Sequence, residues 1–326
     1  MSATDKVNLQ DVKTAYTRIK SYIKKTPVFQ DGEFDTKYGR NFFFKAESMQ
    51  VTGAFKFRGA LNAVLKAREN GENINGLVSH SSGNHGKALA FIARKYGMKC
   101  VIVCPTTTPE SKRQLIRDLG AELILCKPDF DERLQICMKI EKERPGFLYV
   151  STCDDYDVIA GQGTMALELL DQVNDLDAIL VPCSGGGMAA GICIAAKALK
   201  PDIQIYIVEP VGKELEKCLR AGKRLWPNSS GSINTIADGM RRYDLGHKTW
   251  PIVLELAEKD VFTITDEEAI EGMKYGFEHL KLVVESSAGT SIAAAMSSKL
   301  DTLVPRGRNV GVILSGGNVD FSNLPF

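Results

Sequence analysis

The 326-residue chain carries no basic excess: Lys+Arg 41 stand against Asp+Glu 40, a net charge of +1. Nucleic-acid and anionic-membrane surfaces show as a basic excess or stripe, so neither partner is expected. No apolar stretch is long enough to span a bilayer. The opening Met1-Ser2-Ala3-Thr4-Asp5-Lys6 lacks the apolar core of a signal peptide. The 8 cysteines form no CxxC pair and no cluster of zinc spacing, and His80, His85, His247 and His279 form no HExxH. Several cysteines lie inside apolar runs such as Cys100-Val101-Ile102-Val103-Cys104, which reads as buried, reduced thiols in a cytoplasmic protein. Repeats, low-complexity tracts and long linkers are missing too, so composition marks no domain boundary.

What is present is an ordinary core-forming composition, 44% hydrophobic and 25% charged, in a length that suits two domains or one large α/β unit. Continuous apolar runs predict strands at Gly76–His80, Cys100–Cys104, Glu122–Cys126, Ala178–Cys183, Ile203–Glu209 and Asn309–Ser315. Their lack of alternation predicts that both faces are covered. Helical patterns lie between them at Asn84–Tyr96, Glu110–Leu119 and Met188–Leu199, and the alternation predicts parallel sheet flanked by helices. Leu9–Ile23 reads as an amphipathic helix with Val12, Tyr16, Ile19 and Ile23 on one stripe. Asp266-Glu267-Glu268 opens a later helix with acids at its positive end. The αβ series at 76–145 is expected to form a small domain, leaving 1–75 and 146–326 for a large one.

The chemistry starts at Lys56, in Gly53-Ala54-Phe55-Lys56-Phe57-Arg58-Gly59. Small and apolar neighbours predict partial burial, which lowers an amine's pKa. A neutral amine can form a Schiff base with a carbonyl, and the commonest use of such a lysine is to hold pyridoxal phosphate. Three loops follow predicted strands, where ligands of open α/β sheets collect. Ser81-Ser82-Gly83-Asn84-His85-Gly86 leads into a helix and suits an α-carboxylate or a phosphate, or equally a plain N-cap and turn. Ser184-Gly185-Gly186-Gly187-Met188 brings backbone amides to a helix start. Gly185-x-Gly187-x-x-Ala190, with Glu209 ending the next strand, fits a dinucleotide fingerprint as well, and this segment alone does not separate NAD from pyridoxal phosphate. Ser315-Gly316-Gly317-Asn318 ends a buried strand with a hydroxyl that can reach a heterocyclic nitrogen, or makes a simple turn.

Together, the lysine and the three loops resemble the fold-type-II pyridoxal-phosphate enzymes, the tryptophan-synthase-β group, and within it the serine racemase/threonine dehydratase branch. Ile159-Ala160-Gly161-Gln162-Gly163-Thr164 and Thr235-Ile236-Ala237-Asp238-Gly239 also read like that family. The resemblance runs from Lys25-Thr26-Pro27-Val28 nearly to the end, with eukaryotic serine racemases and invertebrate aspartate racemases nearest. No C-terminal regulatory domain is expected after Phe326.

The resemblance implies two open parallel-sheet domains with the cofactor between them. It implies that Lys56 carries the cofactor and acts as base on one face, with Ser82 as acid/base on the other; racemisation needs such a pair. It places Asn84 on the cofactor's 3-oxygen, Ser184, Gly185, Gly186, Gly187 and Met188 on the phosphate, and Ser315 on the pyridine nitrogen. Phe55, Gly239 and Glu285 complete the cofactor set. Ser81, Ser82, Gly83, Asn84, His85, Ser151, Arg133 and Arg242 surround the substrate. β-Elimination of serine to pyruvate and ammonia is the implied co-reaction. A dehydratase with little racemisation is the first alternative, and a dinucleotide-binding oxidoreductase is the alternative of another class.

Departures from the family bear on ligands. Its divalent-cation site, for Mg2+ or a similar ion, is matched by Glu209, but the second-acid position reads Leu215 with Glu214 beside it; Glu209 and Glu214 are the expected ligands. Met240-Arg241-Arg242 puts an arginine where vertebrate serine racemases have a small polar residue, and a guanidinium fork suits a second carboxylate. Aspartate is therefore expected as a substrate beside serine. ATP is an expected effector on Lys281 and Asn318, although Lys87 and Leu119 depart from the pattern. The resemblance also implies a homodimer.

Overall fold

The computed structural model describes residues 6–81, 83–227 and 231–326, and of Ser111 the backbone only. Ser82, the expected second base, lies outside the described residues.

Ten strands build two sheets. They are β1 Val28–Phe29, β2 Asn41–Ala46, β3 Gly76–His80, β4 Lys99–Pro105, β5 Glu122–Cys126, β6 Phe147–Tyr149, β7 Ala178–Pro182, β8 Gln204–Pro210, β9 Val261–Ile264 and β10 Asn309–Leu314. The larger sheet has the order β1-β2-β10-β7-β8-β9, the smaller β5-β4-β3-β6. Only β1 against β2 is antiparallel; β10 runs parallel to β2 from Asn309 opposite Asn41 to Leu314 opposite Ala46. All six expected strands form, within a residue or so of the expected ends.

The continuous apolar runs are explained by two cores on opposite faces of the larger sheet. Side chains alternate across a strand. Ile179, Val181, Ile205 and Ile207 accordingly pack on one side, under the helices Tyr156–Gln172 and Gly187–Leu199. Ala178, Leu180, Tyr206 and Val208 pack on the other, under Asp266–Glu278 and Ser286–Met296.

Three expectations are corrected. The N-terminal helix stops at Ile19 and not Ile23; Lys24 N–H is already held by Gln50 Oε1 at 2.9 Å, which draws the chain toward the sheet. Its buried stripe is Val12, Ala15 and Ile19, with Tyr16 and Ile23 only partly covered. The run Leu123-Ile124-Leu125 is not covered on both faces, because β5 is an edge strand and Leu125 stays 44% exposed. Finally, the smaller sheet reaches past residue 145: β6 pairs with β3 from Phe147 opposite Gly76.

The helix Lys56–Glu69 crosses the helix Tyr156–Gln172 at two glycines. A Cβ on Gly161 would stand 2.6 Å from Gly59 Cα, and one on Gly59 would stand 2.7 Å from Val158 O. This approach lets fully buried Arg58 reach Glu168 (Nη2 to Oε2, 2.7 Å) while its Nε and Nη2 hold Glu47 at 2.8 Å. Lys45 Nζ joins Glu168 at 2.8 Å and Thr26 Oγ1 donates to Glu47 at 2.6 Å. Two cations face two carboxylates, and their hydrogen bonds are shared out among them, as a buried charge cluster requires.

Candidate active site

β7 and β10 are neighbours at the centre of the larger sheet, and their loops open side by side at their carboxyl ends. After β10, Ser315 O accepts the Phe55 N–H at 3.1 Å, Ala54 bridges Gly316, and Gly53 O accepts the Gly317 N–H at 2.9 Å. These bonds clamp the turn Thr52-Gly53, both left-handed at φ 68° and 79°, and aim the next helix so that Lys56 sits in its first turn. Lys56 Nζ donates to Thr152 O at 2.7 Å and lies 5.0 Å from the Phe55 ring centroid. Among the described residues it has no ion-pair partner. Burial pushes its pKa below the ordinary lysine value and the Arg242 charge adds to this, opposed by Cys153, Cys183 and Glu285. The amine is thus half-buried and biased toward its neutral form, the state in which an amine can attack a carbonyl.

Beside it, Gly185, Gly186 and Gly187 form a cradle. Gly186 caps the helix Gly187–Leu199 at φ 92°, without any side chain over the free N–H groups. Added Cβ atoms would strike Cys153 Sγ at 2.3 Å from Gly185, Thr249 Oγ1 at 2.7 Å from Gly186 and Cys153 O at 2.7 Å from Gly187. Thr249 Oγ1 and Gly246 N–H both donate to Gly185 O, at 2.7 and 3.1 Å, turning the loop amides outward. Uncapped amides at a helix start, next to an amine, fit a phosphorylated aldehyde such as pyridoxal phosphate. Met188 is buried at 6% exposure with its side chain in the apolar core, so only its backbone N–H is available to an anion.

The two sheets meet across a polar seam. Asn84 Nδ2 donates to Glu285 Oε1 at 2.7 Å, and Asn84 Oδ1 accepts from Asn318 Nδ2 at 2.8 Å. Asn318 also bonds Thr52 O and takes the Lys87 ammonium at 2.6 Å. Burial raises the Glu285 carboxyl to about 7, against the opposing Asn84 amide and Lys112 charge. Gly239 N–H donates to Ser287 Oγ at 3.0 Å, near the same carboxylate. Ser315 is buried at 4% exposure at the mouth of β10.

The residues expected around the substrate are only partly assembled. Ser81 Oγ accepts Gly83 N–H at 3.2 Å, and the uncapped helix Asn84–Lys95 starts there. His85 turns its ring into the core, 3.3 Å from Val150 O, so its backbone alone can serve a substrate. Ser151 Oγ is committed to the N–H groups of Cys153 and Asp154. Arg242 is at the site: Nη1 lies 3.6 Å from Cys153 Sγ, Nε bonds Asp244 at 2.9 Å, and its charge reaches Lys56 and His80. Arg133 is not brought to the amine. Its guanidinium lies 4.0 Å over Phe130, donates to Asp129 O and faces Cys104, Cys126 and Cys137. Sequence reasoning passed over Thr249, whose role comes from packing against the cradle and carries no motif.

The expected cation pair does not form either. Both oxygens of Glu209 face Leu215 N–H at 3.1 and 3.3 Å, with Thr263 Oγ1 at 3.3 Å from Oε1. Burial raises this carboxyl to about 7. Glu214 turns outward to Lys217 Nζ at 2.6 Å, on a left-handed residue at φ 58°. Leu215 supplies an apolar side chain buried in the core. Among the described residues no group of three or more His, Cys, Asp or Glu could hold a metal, so this donor set does not fit a divalent cation, which takes several oxygens.

Comparison with known proteins bears on this geometry. The family described as "Pyridoxal-phosphate dependent enzyme" matches residues 19–316. The serine racemase of Mus musculus is 41% identical over 322 residues, covering 98% of this chain and 93% of that protein. A pyridoxal 5'-phosphate-dependent aspartate racemase structure is similar at TM-score 0.94 and 49% identity, over 98% of each chain. The structure of a threonine deaminase from T.th. is similar at TM-score 0.88 and 35% identity, over 97% of this chain and 100% of that one. The cradle beside the Lys56 amine is therefore shared ancestry as well as chemistry, and the chain belongs to the pyridoxal-phosphate dependent enzymes of fold type II.

Proposed function

We propose that this protein is an amino-acid racemase that interconverts the L and D forms of aspartate and serine, and that it eliminates serine to pyruvate and ammonia as a co-reaction. The observation that carries the reading is the half-buried Lys56 amine, without an ion pair among the described residues and bordered by the glycine cradle and the Arg242 guanidinium. When bound, pyridoxal phosphate withdraws electrons from the substrate's α-carbon and makes its proton acidic. Lys56 takes or returns that proton at Nζ on one face. By its resemblance to the family, Ser82 is assigned the opposite face. A serine at 315, in place of a carboxylate, leaves the pyridine nitrogen largely unprotonated and keeps charge at the α-carbon short-lived.

Arg242 supports the aspartate half of the proposal. Its Nη2 has no hydrogen-bond partner among the described residues, and the fork is anchored through Nε on Asp244. A fixed fork beside the reacting centre suits a side-chain carboxylate. The similarity to a serine racemase and to an aspartate racemase supports both substrates.

A cytoplasmic setting agrees with eight free, buried thiols; no described helix is long and apolar enough to cross a membrane. A homodimer agrees with the exposed apolar side chains Met49 and Val283, on segments whose Ser48 and Val283 meet at Gly317. Asn318 is engaged by Asn84, Thr52 and Lys87, and Lys281 by Glu278 O, so the proposal assigns ATP no role.

Chiral chromatography after incubation with L-aspartate or L-serine tests the reading. Wild type should form both D enantiomers, and Ser82→Ala should lose racemisation while keeping pyruvate release. Arg242→Ala should lower kcat/KM for aspartate about 10- to 100-fold, the worth of a charged hydrogen bond, and leave serine nearly unchanged. Pyruvate without any D product from wild type would show a dehydratase. Undiminished aspartate turnover in Arg242→Ala removes the arginine from recognition.

A further inference from the structure

Lys213 lies between Glu209 and Glu214 in sequence, yet it is not on the surface. Its side chain is 0% exposed, and Nζ donates to Arg242 O at 2.7 Å. Its own carbonyl accepts Trp226 Nε1 at 2.7 Å, which fixes the start of the side chain. The carboxylates of Glu209 and Asp244 and the Cys183 thiol all feel its charge. Asp244 in turn holds Arg242 Nε and Arg224 Nη2, and Cys183 leads into the phosphate cradle. One buried ammonium therefore stands where the ends of β7 and β8 meet the loop that carries Arg242. A lysine is rarely buried without a charge to answer. Here no carboxylate is within ion-pair distance among the described residues; burial pushes its pKa below the ordinary lysine value, and Glu209, which was expected to bind a cation, and Asp244, which anchors Arg242, oppose this only through the buried medium.

We propose that the Lys213 ammonium is a built-in cation that takes the place of a divalent ion at the end of β8, fastening the Arg242 loop to the cradle and making the fold independent of added metal. The backbone agrees with this. Glu214, next in the chain, is left-handed and swings its carboxylate out to Lys217. The segment thus turns the cation inward and the anion outward. Lys213 touches neither cofactor nor substrate and is a positioning residue.

Thermal unfolding of the purified protein tests this without relying on the racemase assignment. Wild-type Tm should be the same in EDTA and in Mg2+ or Mn2+. Lys213→Met, neutral and of similar length, should lower Tm by about 5–10 °C, because it strips the cation from buried acids. Lys213→Ala, which removes the same cation, should lower Tm as well, and neither Mg2+ nor Mn2+ should restore it, because Leu215 and the outward Glu214 supply no further oxygens. A wild-type Tm that falls in EDTA and recovers with Mg2+ overturns the proposal. So does a Lys213→Met protein with the Tm of wild type, since the buried cation would then fasten nothing. Should Lys213→Met fail to fold, the wild-type EDTA and Mg2+ comparison still decides.

Discussion

Lys56 and Arg242 are both cations and do opposite work. Lys56 is half-buried and has no ion-pair partner among the described residues; burial lowers its pKa and frees its lone pair. Arg242 keeps Asp244 and stays charged, its pKa raised above the ordinary arginine value because Cys153 and Asp244 outweigh its burial. The difference yields a spectroscopic prediction. Purified wild type should absorb in the visible, and borohydride reduction should fix the cofactor on the peptide containing Lys56. Lys56→Ala should lose that attachment and at least about 1000-fold in turnover, since base and covalent anchor go together. Arg242→Ala should keep the colour. The lysine was legible in the sequence because Gly53 to Gly59 surrounds it with small and apolar residues and no acid to pair it. Arg133 stacks on Phe130 of its own helix and shares His80 with Lys56 and Arg242 only through its charge, a placement the sequence alone does not fix because a guanidinium can reach many places.

Among the elements, the crossing of Lys56–Glu69 with Tyr156–Gln172 holds the amine in place. Its two glycines look in sequence like parts of ligand loops, yet their work is to let two helices touch. Gly161→Ala should therefore destabilise the protein by about 1–3 kcal/mol through overpacking, measured by denaturant unfolding. Arg58→Met should cost more, about 3–5 kcal/mol, because Glu47 and Glu168 would share only Lys45. Either variant that unfolds like wild type shows that the crossing tolerates what its geometry forbids. Strand β2, Asn41–Ala46, was not foreseen although Phe42, Phe44 and Ala46 alternate into the core. Its six residues carry the signal, but Phe43 and Lys45 on the other face are also covered, which blurs the period.

Across the whole molecule, the smaller sheet's unit is tied to the larger one by Asn84 to Glu285, Lys87 to Asn318 and Lys112 to Asp238. The last pair is the most exposed and is shared with Arg241, which also holds Asp238. Lys112→Ala should loosen closure and raise KM for amino acid about two- to fivefold with little change in kcat, as a half-exposed ion pair permits. Stability should also follow pH. Burial holds His80 and His85 neutral, pushing both to about 3. An unfolded histidine takes a proton below about 6.5 while the folded one does not. The stability these rings contribute is thus complete above about pH 6.5 and falls as pH drops toward 3, by about 2 kcal/mol per ring at pH 5. His80→Phe should flatten this acid slope in Tm. Glu285, raised to about 7, has the opposite sign: its contribution is full below about pH 4.5 and is lost as pH rises through about 7. Glu285→Gln should remove that second slope.

Local chemistry by itself determined the strand and helix succession, the lysine, the three loops and, through their resemblance, the family. Runs of apolar residues and glycines at helix starts act over a few positions, and a linear reading captures them. Only the tertiary structure decided that Glu214 faces solvent, that Lys213 is buried under the Arg242 loop, and that the Arg133 guanidinium stacks on Phe130. A long charged side chain goes where its countercharges and its desolvation cost balance, and those are set by residues that meet it only after the sheets have folded.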